Sequence, residues 1–174
     1  AVRPYGKLSV IPEPSIIPVE KWIVEPAACV VNGVSYSGIR PGDSVALVGA
    51  GYMGLLMLQA LRRTLAGRLT VFEPDARRLE LARKFGAGMG GWSYVLIGSD
   101  SVTTEHLGSY DVVIENAGSP SAIDLAFSLA KPYAIIENFA WHHHRHEFDL
   151  EHWHVDGLRI LNIQPQMNPA FDEL

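Results

Sequence analysis

Ser44-Val45-Ala46-Leu47-Val48-Gly49-Ala50-Gly51-Tyr52-Met53-Gly54 is the stretch on which the fold turns. Residues 44–48 are almost wholly apolar, as a strand buried on both faces should be. Three glycines follow in the spacing Gly49-x-Gly51-x-x-Gly54. Leu55, Leu58, Leu61 and Leu65 then recur at helical intervals, predicting a helix from about Tyr52 to Leu65 that Gly67 stops. In a strand-turn-helix unit each glycine has a task. Gly49 allows a tight turn, Gly51 lets the backbone approach a pyrophosphate, and Gly54 lets the helix pack close to the strand. The helix N-terminus adds free N–H groups and a partial positive charge. Glu73 lies 19 residues beyond Gly54 and ends a second strand, Leu69-Thr70-Val71-Phe72. A carboxylate there accepts hydrogen bonds from an adenosine ribose. The combination predicts a dinucleotide site; the alternative is glycines that serve only a tight turn.

Working outward, the alternation of strand and helix repeats. Glu25-Pro26 opens a helix whose apolar surface is Ala27, Ala28, Val30, Val31 and Val34, running as far as Gly38. Arg40-Pro41-Gly42-Asp43 is a turn. Asp75 caps a helix carrying Leu79, Ala82 and Phe85, closed by Gly86. Within the irregular span 87–109, residues 92–97 form a strand candidate. Further strands are expected at 111–115, 133–136 and 158–163. Ser119-Pro120 opens a helix with Ile123, Leu125, Ala126 and Leu129 as its main apolar residues. This pattern predicts an α/β fold, a parallel sheet covered by helices on both faces. Residues 1–24 differ in texture, with Pro4, Pro12, Pro14 and Pro18 between short apolar runs. A chain starting without methionine reads as a piece of something longer.

The 174 residues, 48% hydrophobic and 19% charged, are enough for one domain with a core and too apolar for disorder. No apolar run approaches the roughly 18 residues of a membrane span, and the first residues do not form a signal peptide. Cys29 is the single cysteine, which excludes an internal disulfide and a multi-cysteine zinc site. The simple reading is a reducing, cytoplasmic setting. Net charge is −5, unlike the basic balance of nucleic-acid binders. Residues 1–100 carry +3 and residues 101–174 carry −8, and the acidic part holds all seven histidines.

From Glu25 to about Gln164 the chain resembles the cofactor domain of zinc-dependent medium-chain alcohol and polyol dehydrogenases, with the sorbitol and threonine dehydrogenases as the nearest branch. The resemblance is carried by Glu25-Pro26-Ala27-Ala28, by 38–45 (GIRPGDSV), by 48–56 (VGAGYMGLL), by 77–87 (RRLELARKFGA), by 111–115 (DVVIE) and by Gly157-Leu158. It implies a Rossmann-type, doubly wound six-stranded sheet of order 3-2-1-4-5-6 over residues 25–165, binding NAD. It implies that residues 1–24 are the end of a catalytic domain and that 166–174 begin a return to it. Gly49, Gly51, Tyr52, Met53 and Gly54 would meet the cofactor, and Glu73 the ribose with Arg78 nearby. Ala117, Gly118, Asn138 and Phe139 would flank the nicotinamide. The parent would be an oxidoreductase acting on an alcohol or polyol, with zinc as Lewis acid held in the full-length parent. Glu25 matches a position beside the catalytic zinc, or is a plain helix cap. The resemblance also implies a homodimer through a strand near residues 146–150.

No Gly-His-Glu zinc-ligand motif occurs, so this chain by itself is expected to bind and not to catalyse. A second reading is a non-enzymatic, NAD(H)-sensing regulatory domain. The run His142-His143-His144-Arg145-His146, with His152 and His154, has the residue type for zinc, copper or nickel; a solvated loop is the plainer expectation. Trp141 and Trp153 are expected to anchor that segment by burial. Met53, Leu55, Leu56 and Met57 are expected in the core, and Cys29 as a buried, inert thiol.

Overall fold

The computed structural model describes residues 18, 21, 23–86, 90–97 and 102–163. The proline-rich lead and the return segment lie almost wholly outside them. In chain order come α1 (Val24–Tyr36), β1 (Ser44–Val48), α2 (Tyr52–Leu61), β2 (Arg68–Glu73), α3 (Ala76–Phe85) and β3 (Trp92–Leu96). They are followed by β4 (Tyr110–Glu115), α4 (Pro120–Leu129), β5 (Ala130–Asn138), α5 (Leu150–Val155) and β6 (Arg159–Asn162). The six strands form one sheet of order β3-β2-β1-β4-β5-β6, with every pairing parallel. This is the doubly wound topology expected. The order reverses between β1 and β4, where such sheets leave a crevice at their carboxyl edge.

Val45, Ala46, Leu47 and Val48 are all at most 1% exposed, so β1 is covered on both faces. Val45 and Leu47 pack with Met57, Leu58, Leu61, Leu79 and Ala82 on one face. Ala46 and Val48 pack with Phe72, Val113, Ala126 and Leu129 on the other. Helix starts follow their caps. The Asp75 carboxylate accepts from the N–H groups of Arg77 and Arg78, and Ser119 Oγ from that of Ala122. The Arg77 N–H and guanidinium, with the Arg78 N–H, hold the Asp75 carboxyl below its usual range.

Several expectations need correction. α2 ends at Leu61, and Leu65 beyond it is 71% exposed. Val31 and Phe85 are exposed rather than part of their helices' buried faces. β5 begins at Ala130 and is irregular: Tyr110 pairs with Ala130 but Val112 with Ile135, which pushes residues 131–134 out of register. Tyr133, at the crest, has φ +67. Residues 146–149 are not a strand, and Leu150 opens the helix α5, capped by the Asp149 carboxylate on the His152 N–H. Trp141 is 74% exposed and anchors nothing by burial, whereas Trp153 packs against the second core cluster and donates its indole N–H to Leu158 O.

One buried group stands outside this packing logic. Glu137 is fully buried, with Oε1 close against the bare backbone of Gly33, and neither of its oxygens has a hydrogen-bond partner among the described residues. Burial pushes its carboxyl up to about 8.

Candidate functional site

The crevice between β1 and β4 opens into a cleft of about 970 Å³. Its wall gathers Gly51, Tyr52 and Met53 from the start of α2, Ala117 and Gly118 from the loop after β4, Asn138 and Phe139 from the end of β5, and Glu25 and Cys29 from α1. Eight of the predicted site residues thus meet in one place.

The glycine loop is shaped as its spacing requires. Gly49 has φ +99, and a Cβ on it would sit 3.0 Å from the Ala117 nitrogen. A Cβ on Gly54 would collide with Gly49 O, so α2 approaches the strand end only because residue 54 lacks one. Gly51 differs: a Cβ there meets nothing within 4 Å. Within the chain that position has room, so the glycine keeps space open above the loop for something else. Gly51 is the N-cap of α2 and provides no side-chain hydrogen bond, in contrast to the caps of α3, α4 and α5. The first N–H groups of α2 and their partial positive charge face a cleft that suits an anion.

Glu73 does not line the cleft. It is 2% exposed beneath the loop, with Oε2 accepting from the Ala50 N–H at 2.6 Å and Oε1 from the Asp75 N–H at 2.9 Å. A carboxylate has about four acceptor sites, so capacity remains. Arg78 is exposed on the first turn of α3. Glu25 accepts a hydrogen bond from the Cys29 thiol at 3.1 Å. Burial first, then the Glu25 carboxylate, pushes that thiol up to about 12, which makes it inert at neutral pH. Among the described residues no three of His, Cys, Asp and Glu come together in a metal-binding arrangement, the histidine run included. The donor set of the described residues therefore does not fit a zinc ion held by them alone.

Two contributors, Glu115 and Asn116, were not singled out by sequence. Glu115, 1% exposed at the end of β4, accepts from the N–H groups of Ala117 and Gly118, both at 2.8 Å, and bonds His142 Nε2 at 2.7 Å. It ties the loop after β4 to the loop after β5. The signal was present: Glu115 ends its strand as Glu73 ends another. Asn116 also lines the cleft, and its Nδ2 has no hydrogen-bond partner among the described residues.

No protein-family model matches the chain. It is 31% identical over 119 residues to YdjJ of Escherichia coli K12, an uncharacterized zinc-type alcohol dehydrogenase-like protein, covering 67% of this chain and 33% of that one. It is 45% identical over 49 residues to an S-(hydroxymethyl)glutathione dehydrogenase of Escherichia coli O1:K1, over 28% of this chain and 13% of the relative. Among solved structures, one described as a zinc-binding dehydrogenase of Sinorhizobium meliloti 1021, bound to NADP, superimposes with a TM-score of 0.71 at 28% identity, over 86% of this chain and 46% of that one. The 2R,3R-butanediol dehydrogenase of Bacillus subtilis shares the fold, with a TM-score of 0.72 at 23% identity over 84% and 43% of the two chains. The chain thus spans a third of the length of YdjJ and less than half of these solved chains.

Proposed function

Because this chain belongs to the zinc-dependent alcohol and polyol dehydrogenases, we propose that it is the part of such an enzyme that holds NAD(H) for hydride transfer to or from a secondary alcohol or ketone. The observation that carries this reading is the glycine loop: the unfilled space over Gly51, in front of an uncapped helix N-terminus, at the point where the strand order reverses. The dinucleotide, when bound, supplies the hydride chemistry. The chain's own residues bind and orient it. Backbone N–H groups at the start of α2 receive the pyrophosphate. Glu73, with Arg78 nearby, sits at the ribose end. Ala117, Gly118, Asn138 and Phe139 border the nicotinamide end, and the unpartnered Asn116 amide gains an acceptor. Catalytic zinc belongs to the full-length parent, with Glu25 beside it once its bond to the Cys29 thiol is released.

NAD is favoured over NADP in this reading, although the Sinorhizobium relative was solved with NADP. A 2′-phosphate would meet the Glu73 carboxylate, a repulsion of about 10-fold or more in affinity. Calorimetric titration with NADH and NADPH tests it. Saturable binding with NADH preferred is expected; equal or tighter NADPH binding overturns the preference, and no binding of either overturns the reading.

The same reading includes a cytoplasmic setting and a homodimer. Among the described residues no helix is long and apolar enough to cross a membrane. For the dimer, support comes from β6, a sheet edge paired on one side only, and from Leu150 and Val155 on α5, which are 68% and 69% exposed. To extend across a two-fold axis, residues 146–149 of the pairing segment would have to leave their present coil and Leu150 the start of α5. Sedimentation at micromolar concentration is expected to give a dimer, and a monomer would remove this part of the proposal.

A further inference from the structure

The buried carboxyl of Glu137 lies under the helix that walls the cleft. Three side chains converge on Gly33 of α1: a Cβ there would sit 2.8 Å from Glu137 Oε1 and 2.9 Å from both Met57 Cε and Phe139 Cε2. Glu25, Cys29 and Gly33 follow one another at intervals of four residues, so they form one line along α1. The first two are what α1 contributes to the cleft wall. The same line of α1 therefore covers the carboxyl at one end and faces the cleft at the other.

The groups around the carboxyl are neutral. Gly33 and the buried Asn32 come from α1, and Ile114 of β4 and Leu161 of β6 are the register neighbours of Glu137. Titratable groups on these elements stand apart. Cys29 and Glu25 lie one and two turns along α1, Tyr52 starts α2, and Arg159 is two residues back on β6. Glu115 follows Ile114 and so turns to the opposite face of the sheet. Burial is what raises the Glu137 carboxyl. With no partner on either oxygen among the described residues, a negative charge there has to be reached by water. α1 is the peripheral cover. It buries Cys29, Val30, Asn32 and Gly33, leaves Val24, Val31 and Tyr36 exposed, and has no side-chain cap at its start. Ile114 and Met57, by contrast, belong to the central core.

We propose that Glu137 is a proton-operated latch on α1: the helix stays seated while the carboxyl holds its proton, and its 25–33 stretch lifts off the sheet when the proton leaves. The cleft then loses the wall made by Glu25 and Cys29. The inference rests on the buried carboxyl and not on what the cleft holds. The seated state keeps the proton up to about pH 8, whereas a lifted, hydrated carboxyl keeps it only to the ordinary 4.5. Lifting thus becomes up to about tenfold more frequent per pH unit between those values and levels off above them.

Cys29, the single cysteine, reports the motion because it is 7% exposed while α1 is seated. Its reaction with 4,4′-dithiodipyridine is followed in the natural chain and in Glu137→Gln, from about pH 5.5 to about pH 9. Ionisation of the thiol itself is common to both proteins and cancels in the ratio of their rates. That ratio, natural chain over variant, is expected to climb at least about fivefold per pH unit up to about pH 7.5 and to level off above about pH 8. In about 1 M urea the natural chain's rate is expected to rise less than about twofold, since a local opening exposes little surface, against at least about fivefold through whole-chain unfolding. Should Glu137→Gln not fold, Glu137→Leu takes its place with the same expectation. A ratio constant within about twofold across the range overturns the proposal, as does a urea response of the size of whole-chain unfolding.

Discussion

Glu73 Oε2 lies 2.6 Å from the backbone nitrogen of Ala50, a bond buried beneath the glycine loop that joins the end of β2 to the turn after β1. The carboxylate expected to face a ribose is therefore also what holds the loop in place. Glu73→Ala leaves the Ala50 N–H, on a residue 1% exposed, without its acceptor. The expected cost is about 1–3 kcal/mol in urea unfolding, together with weaker NADH binding. Glu73→Gln keeps one acceptor oxygen for two N–H groups and is expected to fall between the two. Unchanged stability in Glu73→Ala would show that the loop holds its shape without this bond.

The bond between Glu115 and His142 makes a parallel prediction. His142→Ala strips a partner from a carboxylate that is 1% exposed, and is expected to destabilise by about 1–3 kcal/mol. His142→Gln retains an N–H donor and is expected to recover part of the loss. Chemical denaturation of the three proteins, side by side, checks the order; a gain in stability on removing His142 would contradict it.

Glu137 predicts a pH dependence. Its folded carboxyl is pushed up to about 8, above the ordinary 4.5, so the folded chain holds a proton that the unfolded chain releases between those values. Stability from this group is present in full below about pH 4.5, falls as pH rises towards 8, and is level above that. The slope is about 1 kcal/mol per pH unit. Glu137→Gln, which does not ionise, is expected to flatten that fall and to exceed the natural chain in stability at pH 8. Equal slopes from pH 5 to 8 in the two proteins would dismiss Glu137 as their source.

Tyr133 predicts a stabilising substitution. It is a bulky residue at φ +67 with 76% of its surface exposed, so a smaller residue loses little burial and relieves the left-handed backbone. Tyr133→Gly is expected to raise stability by about 1 kcal/mol, less the extra freedom glycine gains on unfolding. A fall in melting temperature would show that the contact of the Tyr133 ring with Gly157 outweighs the strain.

The alternation of strand and helix was legible because each central strand is a short, largely apolar run and two helix starts, at Asp75 and Ser119, carry a side-chain cap. The glycine loop was legible for the same reason: Gly49 and Gly54 answer to local sterics that any such turn imposes. What could not be read depends on distant partners. Glu115 looks like the end of a strand until His142, 27 residues on, reaches it. α5 was hidden because Leu150-Glu151-His152-Trp153-His154-Val155 lacks a buried stripe; none of its residues is fully buried, and its start rests on Asp149 alone. Trp141 suggested burial by composition, but it follows a strand end that opens into the cleft.

The cleft is framed on both sides by loops that a buried carboxylate already fastens, Glu73 under one and Glu115 under the other. A ligand arriving there finds two rigid lips and does not have to order either. Little conformational entropy is then lost on association, so more of each contact made appears as affinity. Capture by such a frame follows simple one-step kinetics, with no slow closing phase after encounter, and its speed is set by diffusion and orientation.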